Sequence, residues 1–247
     1  MLQKKALFLV TAENEVQPLV NFAGIFKKKY NVEIDVVYIK DVLKYEVFPV
    51  SIEGMGLNVG ANYAFKEYRE LEEKTVKKLK EQMSDDISNF YTKDGETSEI
   101  VLEELKKYDL LVLVKNEKVT SVLKEILRSI FKPLIILPNV KDFKLDDLVL
   151  LDDGAYNANK TLFTFFHIFG EQKVNVLDDE NSLAQRFGEN YNLIHKTGET
   201  FKTIMNEAQK YDLVLMGDLR YTVMVERITG KLGIRILENL QKPIFIV

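Results

Sequence analysis

Two segments of this chain place acidic, basic and glycine residues directly after short apolar runs. Asp-Asp-Gly at 152–154 follows the apolar run 148–151, and Gly-Asp-Leu-Arg at 217–220 follows the apolar run 213–216. If these runs are strands of a parallel sheet, the turns after them open toward helix N-termini, where backbone N–H groups can hold phosphate. The residue types therefore indicate phosphate chemistry, and the carboxylates would need a divalent cation such as Mg²⁺ beside a triphosphate.

Other chemistries find less support in the residue types. The chain has no cysteine and only two histidines, His167 and His195, which are distant in sequence. A zinc site therefore lacks its usual set of ligands. No nucleophile elbow, Walker loop or catalytic-triad spacing occurs either. We expect no metal site and no catalytic residue.

These segments lie in a chain that repeats itself. Gly-Glu-Thr at 95–97 recurs 103 residues later, and so does Lys-Tyr-Asp-Leu at 107–110. Lys-Pro at 132–133 recurs 110 residues later, at 242–243. The second copy therefore carries seven extra residues between its strand at 212–217 and its terminal helix. A repeat of this length predicts two copies of one structural unit.

Each copy alternates apolar strands with helices. The predicted strands span 6–10, 32–39, 87–91, 110–114, 134–137, 148–151, 174–177, 192–194, 213–216 and 244–247. The predicted helices span 16–26, 62–83, 98–107, 119–131, 158–169, 183–187, 201–210 and 231–240. Because strands that are apolar throughout must be covered on both faces, the pattern predicts parallel sheets between helical layers. The expected fold is α/β, with two tandem doubly wound five-stranded parallel sheets in domains 1–140 and 145–247.

The second half also carries the residues of a known loop. Universal stress proteins that bind ATP have a loop of the form G-x2-G-x9-G-[ST] after their fourth strand. The corresponding residues here, at the same spacing, are Gly217, Arg220, Gly230 and Lys231. In this loop, and in an order of elements that occurs twice, the chain resembles a tandem universal stress protein. The resemblance implies a Rossmann-like fold of the adenine nucleotide alpha hydrolase type.

The same resemblance implies an adenine nucleotide site in the second half. The family's acidic residue at the end of the first strand, which faces the nucleotide, is matched by Asp152 or Asp153. Val176 and Leu177 match the end of the second strand, where the family's backbone holds adenine. The candidate nucleotide-binding residues are Asp152, Asp153, Val176, Gly217, Arg220, Gly230 and Lys231.

Two of these positions depart from the family's loop. Arg220 replaces a glycine, and arginine can copy neither the close backbone approach nor the positive φ that glycine allows. Its side chain either fills the phosphate space, which is the favoured interpretation, or contacts a phosphate through its forked donors. Lys231 replaces a serine or threonine, and it either places a positive charge near phosphate or is a solvated lysine at a helix start. We therefore expect weak binding at most, with ATP and Mg²⁺ as the candidate ligands.

The first half has diverged further from the family. Residues 115–118 read Lys-Asn-Glu-Lys, without a glycine, and the seven extra residues are missing there. Thr11 and Ala12 stand where the family has its acidic residue. We expect no nucleotide in this half, and a structural role in which it pairs with the second half as family dimers pair.

A glycine-rich segment at 54–60 precedes the long helix predicted at 62–83. It follows Pro49 rather than a strand and lacks the spacing of a dinucleotide-binding loop, which favours a connector. One alternative is a lid with apolar tips that closes over a small molecule. Another is that the segment and the charged helix after it contact a protein partner.

Composition narrows the function classes. A net charge of −4 argues against nucleic acid as a partner, because binding its backbone needs a surplus of Lys and Arg. No apolar run reaches the roughly 18 residues of a membrane helix, and the N-terminus does not resemble a signal peptide. We therefore expect no membrane association and a cytoplasmic location.

These observations favour a universal-stress-like binding or regulatory protein without catalytic turnover. One alternative is an enzyme that binds ATP with Mg²⁺ and slowly hydrolyses it or transfers phosphate, which the lost glycine and hydroxyl weaken. A second alternative is a scaffold that binds a protein partner through the loop and helix at 49–83. The two halves are expected to form an intramolecular pseudo-dimer, and association of two chains into a homodimer is left open. Fold alone does not choose among these functions.

Overall fold

The computed structural model describes residues 3–41, 58–116, 119–152, 156–178, 191–195, 200–217 and 231–247. Its strands are β1 (Lys5–Val10), β2 (Glu33–Asp41), β3 (Asn89–Gly95), β4 (Leu110–Val114), β5 (Leu134–Leu137), β6 (Leu148–Leu151), β7 (Val174–Asp178), β8 (Tyr191–His195), β9 (Leu213–Met216) and β10 (Ile244–Ile246). Its helices are α1 (Val16–Tyr30), α2 (Asn58–Glu81), α3 (Thr97–Glu104), α4 (Ser121–Ser129), α5 (Tyr156–Phe169), α6 (Thr200–Ala208) and α7 (Lys231–Asn239). The predicted alternation of strands and helices is confirmed, and the helix predicted at 183–187 lies outside the described residues.

Local sequence explains how several helices begin and end. α1 continues to Tyr30, beyond the predicted end at Phe26. It ends there because Asn31 has a left-handed backbone conformation, with a φ of 51°, which asparagine tolerates. The predicted helix at 98–107 divides into α3 and a 3-10 turn at 105–107. Thr120 caps α4, because its side-chain oxygen accepts a hydrogen bond from the Leu123 N–H at 3.2 Å.

The described strands form one sheet in the order β3-β2-β1-β4-β5-β10-β9-β6-β7-β8. Within each half all neighbouring strands are parallel, and their order is that of a doubly wound sheet, which confirms the predicted fold class. The two five-stranded sheets are not separate, however. They join at their edges, where β5 pairs antiparallel with β10.

The β5–β10 pair has a local twofold relation. Ile135 pairs with Phe245, which occupies the equivalent position 110 residues later in the repeat. The flanking pairs Leu134–Ile246 and Ile136–Ile244 exchange equivalent positions across this centre. A contact that uses the same surface on both sides is the pattern of a symmetric dimer interface, here formed within one chain.

An aromatic cluster joins the two halves on one face of the sheet. Phe26 and Tyr30 of α1 contact Phe169 of α5, with ring centroids 5.5 Å and 4.5 Å apart. Phe165 of α5 contacts Phe245 of β10 at 5.2 Å. Buried aromatic pairs of this kind stabilise a core beyond their area alone. Both halves therefore contribute to one core, and the domain boundary near residues 140–145 stays a prediction.

Helices cover both faces of the sheet. α1, α2 and α5 pack on the face that holds the aromatic cluster. α3, α4, α6 and α7 pack on the opposite face, where a second core cluster also draws residues from both halves. Among the residues described, no helix is long and apolar enough to cross a membrane.

Candidate binding crevices at the ends of the strands

The ends of β6 and β9 bring two of the candidate residues together. Leu151 and Met216 are register neighbours, so Asp152 and Gly217 follow adjacent parallel strands. Asp152 is buried, and its backbone N–H donates to the carbonyl of Leu177 at 3.0 Å. The strand order of the second half therefore reverses at these two residues, which is where a doubly wound sheet binds its ligands.

Gly217 also has a packing role. A Cβ at this position would lie 3.2 Å from the backbone nitrogen of Ala158 and 3.3 Å from the Cβ of Asn157. In the same helix, the buried Thr161 hydroxyl donates to the carbonyl of Met216 at 3.2 Å. Glycine therefore lets the first turn of α5 approach the end of β9, whether or not a ligand is present.

Val176 lies deeper in the sheet than the sequence predicts. β7 ends at Asp178 rather than at Leu177, and Val176 pairs with Leu150 on one side and Leu193 on the other. Its side chain is fully buried. Because strands flank Val176 on both sides, its main-chain groups are used by the sheet. This pairing does not favour the expected contact with adenine, which stays a prediction.

The remaining candidates belong to the loop between β9 and α7. Lys231 is the first residue of α7, which agrees with the expected helix start. Arg220 and Gly230 precede it and lie outside the described residues, as does Asp153 after β6. Their contacts with a nucleotide stay predictions.

In the first half, the sequence analysis missed an acidic side chain at the end of β1. The Glu15 carboxylate folds back and accepts from the backbone N–H of Thr11 at 2.7 Å and of Ala12 at 3.1 Å. The Thr11 hydroxyl donates to the same carboxylate at 2.9 Å, and Glu15 is buried. Thr11 and Ala12 are not acidic themselves, but Glu15 brings a carboxylate to them. A glutamate that reaches back to an N-cap is a known pattern, but Ala12 at the cap replaces the usual Ser or Thr and conceals it.

Lys115, directly after β4, links the first half to the last helix of the second. Its ammonium donates to the backbone carbonyls of Leu237 and, at 2.9 Å, Glu238. These carbonyls lie in the last turn of α7, where the helix dipole favours a cation. Burial lowers the pKa of Lys115 to about 8, and the nearby Glu238 carboxylate acts in the opposite direction. Sequence alone gives no signal for this contact, because its partners lie more than a hundred residues away.

Glu15 and Lys115 both line a cavity of about 150 Å³ between the ends of β1 and β4. Most of its wall is apolar and comes from Leu9, Leu113, Val114, Val122 and Leu123. Hydroxyl and amide groups complete the lining, from Thr11, Thr97, Thr120 and Asn116. This is the position at which the strand order of the first half reverses, so a crevice exists there although the loop has no glycine.

A second polar cluster lies beside α3. Tyr108 donates to Asp35 at 2.8 Å, Tyr91 donates to Glu104 at 2.9 Å, and the two phenol oxygens are 3.3 Å apart. Burial raises the pKa of Tyr91 to about 12 and also raises the pKa of Tyr108. Burial alone would raise the pKa of Glu104, but hydrogen bonds from Lys107 and Tyr91 outweigh it and hold that pKa below its ordinary value. The cluster fixes α3 to the sheet and takes no part in the cavity.

Solved structures of other proteins share this architecture. No protein-family model and no curated protein matches the sequence. A universal stress protein from Archaeoglobus fulgidus aligns at 15% identity over 100% of this chain and 98% of its own, with a TM-score of 0.65. A provisionally assigned universal stress protein from Pseudomonas aeruginosa aligns at 11% identity over 99% of this chain and 93% of its own, with a TM-score of 0.57. A functionally unknown protein from the same species aligns at 11% identity over 99% and 92%, with a TM-score of 0.54.

These likenesses show the fold. The chain has the architecture of universal stress protein structures over its whole length, including both halves of the joined sheet. The resemblance that the sequence predicts is therefore confirmed at the level of the fold.

Proposed function

We propose that this chain is a tandem universal stress protein that acts in the cytoplasm as a non-catalytic binding and regulatory protein, with an adenine nucleotide bound weakly in its second half. The observation that carries the proposal is the likeness to universal stress protein structures over the full length of this chain. The role in the stress response and the binding of a nucleotide are part of the proposal because both are properties of that family.

The geometry of the second half supports a site for the nucleotide. Asp152 and Gly217 follow adjacent strands at the reversal of strand order, and the loop after Gly217 leads into the N-terminus of α7. A helix N-terminus favours phosphate, and Lys231 adds a positive charge to the chain there. Arg220 in place of a glycine weakens the site, because the backbone cannot approach a phosphate as closely.

The same residues support binding without turnover. The Ser or Thr of the family loop is Lys231 here, so no hydroxyl is available at that position for Mg²⁺ or phosphate. General-base catalysis needs a group poised close to the attacking water. The sequence offers no histidine or cysteine in the loop at 217–231.

Calorimetric titration of ATP with Mg²⁺ into the whole chain tests the proposal. We expect saturable heat with a Kd between about 10 µM and 1 mM, and at least tenfold weaker binding after Lys231→Glu or Asp153→Ala. Gly217→Glu should also abolish binding, but it crowds α5, so its folding must be checked by circular dichroism. Asn116→Glu is the matched control for Gly217→Glu, since it also adds one negative charge, at an exposed position after β4 in the first half.

The outcomes separate the alternatives. Absence of heat up to millimolar ATP, with the protein folded, would remove the nucleotide from the proposal and turn attention to protein partners and other ligands. Phosphate release above the rate of buffer, lost in Lys231→Glu, would instead support the enzyme alternative. Binding that weakens in Asn116→Glu and not in Lys231→Glu would place the nucleotide in the wrong half.

A further inference from the structure

The cavity of the first half has a size that limits its occupant. Its volume is about 150 Å³, whereas pockets for drug-sized ligands span roughly 300–1,000 Å³. An engineered protein cavity of about the same volume, lined by apolar side chains, binds benzene or xenon. A single ring or a short branched chain fits such a space, whereas a nucleotide would have to extend into the larger polar cleft that shares Lys115, Asn116 and Thr120 with it.

Both charged side chains in the wall are already held by hydrogen bonds within the protein. The Glu15 carboxylate accepts two backbone N–H groups and the Thr11 hydroxyl. The Lys115 ammonium donates to two carbonyls at the end of α7. A charged ligand would have to compete with these contacts for Glu15 or Lys115, because the rest of the wall is mainly apolar and an unpaired buried charge there costs several kcal/mol.

We propose that the first half binds a small uncharged molecule of about the size of benzene, with an apolar body and one hydroxyl or carbonyl group. The body lies against Leu9, Leu113 and Leu123, which are buried side chains of the cavity wall. This assignment goes beyond the proposed nucleotide site, and it gives the diverged half a ligand chemistry of its own.

The rim of the cavity supplies the polar contact. The Thr120 oxygen accepts from the Leu123 N–H as the cap of α4, so its hydroxyl proton can be donated to a ligand oxygen. The exposed Asn116 amide, on the neighbouring loop, carries both a donor and an acceptor. Together these groups favour a phenol-like molecule over a pure hydrocarbon.

Phenol titrated into the whole chain, followed by amide NMR shifts, tests the assignment. We expect saturable shifts confined to residues around the cavity, with a Kd between about 0.1 and 10 mM for so small a ligand. Val122→Trp fills the cavity from its partly exposed wall and should weaken phenol binding at least tenfold. Glu125→Trp places the same ring on the exposed face of α4 and should leave the affinity unchanged.

Three results would overturn the assignment. They are shifts that stay linear up to 50 mM phenol, equal affinity in Val122→Trp and the unaltered chain, and competition between ATP and phenol for the same residues. Xenon-pressurised crystals provide a check that needs no variant. Xenon density in the cavity supports the apolar site, whereas a cavity that holds only ordered water contradicts it.

Discussion

In the first half β4 ends at Val114 and Lys115 follows it, whereas the second half has Gly217 at the position corresponding to Val114. Val114 keeps a buried side chain, but at Gly217 a Cβ alone would crowd the first turn of α5. The first turn of α5 therefore lies against the end of β9. The glycine that resembles part of a phosphate loop thus also has a packing role.

The two halves also differ in the charged groups at these strand ends. In the first half two charged side chains line the crevice, Glu15 folded onto the backbone and Lys115 held by α7. The second half has the buried Asp152 at the position equivalent to Val10. We propose an uncharged ligand for the first half and an ionic ligand for the second, so that one repeated unit would serve two chemistries.

The largest effect is expected where the two halves share their core. Phe165→Ala removes a fully buried ring that packs on Phe169 at 4.9 Å and Phe245 at 5.2 Å. We expect it to lower the free energy of unfolding by about 3–5 kcal/mol, because a cavity remains where the ring was. Urea denaturation followed by circular dichroism measures this change.

Phe163→Ala is the matched control, since Phe163 is on the same helix and 38% exposed. It should cost less than about 1 kcal/mol. The two halves should also lose stability together in Phe165→Ala, in one transition. Two transitions, only one of them shifted, would show that the halves unfold independently and that the shared core contributes little.

A smaller effect is expected at the second-half strand end. Gly217→Ala places a Cβ 3.2 Å from the backbone of Ala158, so α5 or β9 must shift, at a cost of about 1–3 kcal/mol. Thermal unfolding measures the change. Gly24→Ala is the control, because the atom near its Cβ is the end of the flexible Asp86 side chain and alanine favours a helix. If Gly217→Ala is as stable as the unaltered chain, the packing explanation for this glycine is wrong.

The smallest effect concerns equivalent glutamates in the last turns of α3 and α6, Glu104 and Glu207. The pKa of Glu104 is lowered by its hydrogen bonds, so its carboxylate stabilises the fold above the unfolded-state pKa near 4.5, and this contribution is lost as pH falls through the folded-state pKa. Glu104→Gln should therefore cost about 0.5–1.5 kcal/mol at pH 7 and progressively less toward pH 3. Denaturation series at several pH values measure this difference.

Glu207 is the corresponding residue in the second half, where its described ion pair is with Lys210 at 2.6 Å near the surface. Glu207→Gln should change the stability by less than about 0.5 kcal/mol at any pH, because exposed pairs contribute little. If the stability of the two variants depends on pH equally, the hydrogen bonds of Glu104 do not stabilise the fold more than the ion pair of Glu207.

The central strands could be predicted from the sequence almost residue by residue. Leu110–Val114, Leu134–Leu137, Leu148–Leu151 and Leu213–Met216 agree with the predicted bounds, because each is an apolar run that ends at polar or turn-forming residues. The edge strand β3 was harder to place. Its residues are mixed in polarity, and pairing with β2 extends it to Gly95, beyond the predicted end at Tyr91.

The site was less predictable than the fold. The sequence placed Asp152 and Gly217 directly after apolar strands, and the strand order of a doubly wound sheet makes these two strand ends neighbours. It could not reveal that Glu15 turns back onto Thr11, because the capping pattern lacks its usual Ser or Thr at Ala12. The sequence also predicted no nucleotide site in the first half, where the cavity lies, because that prediction depended on a glycine loop that this half does not have.

The amino-acid sequence by itself determined the repeat, the alternation of helices with apolar strands and the parallel order within each half. These follow from local periodicity and from the need to cover apolar strands on both faces. Only the tertiary structure decided that β5 pairs with β10, and that Lys115 of one half holds the end of α7 in the other. Such contacts join residues more than a hundred positions apart, and they form because the local twofold arrangement brings the two edges and the last helix together.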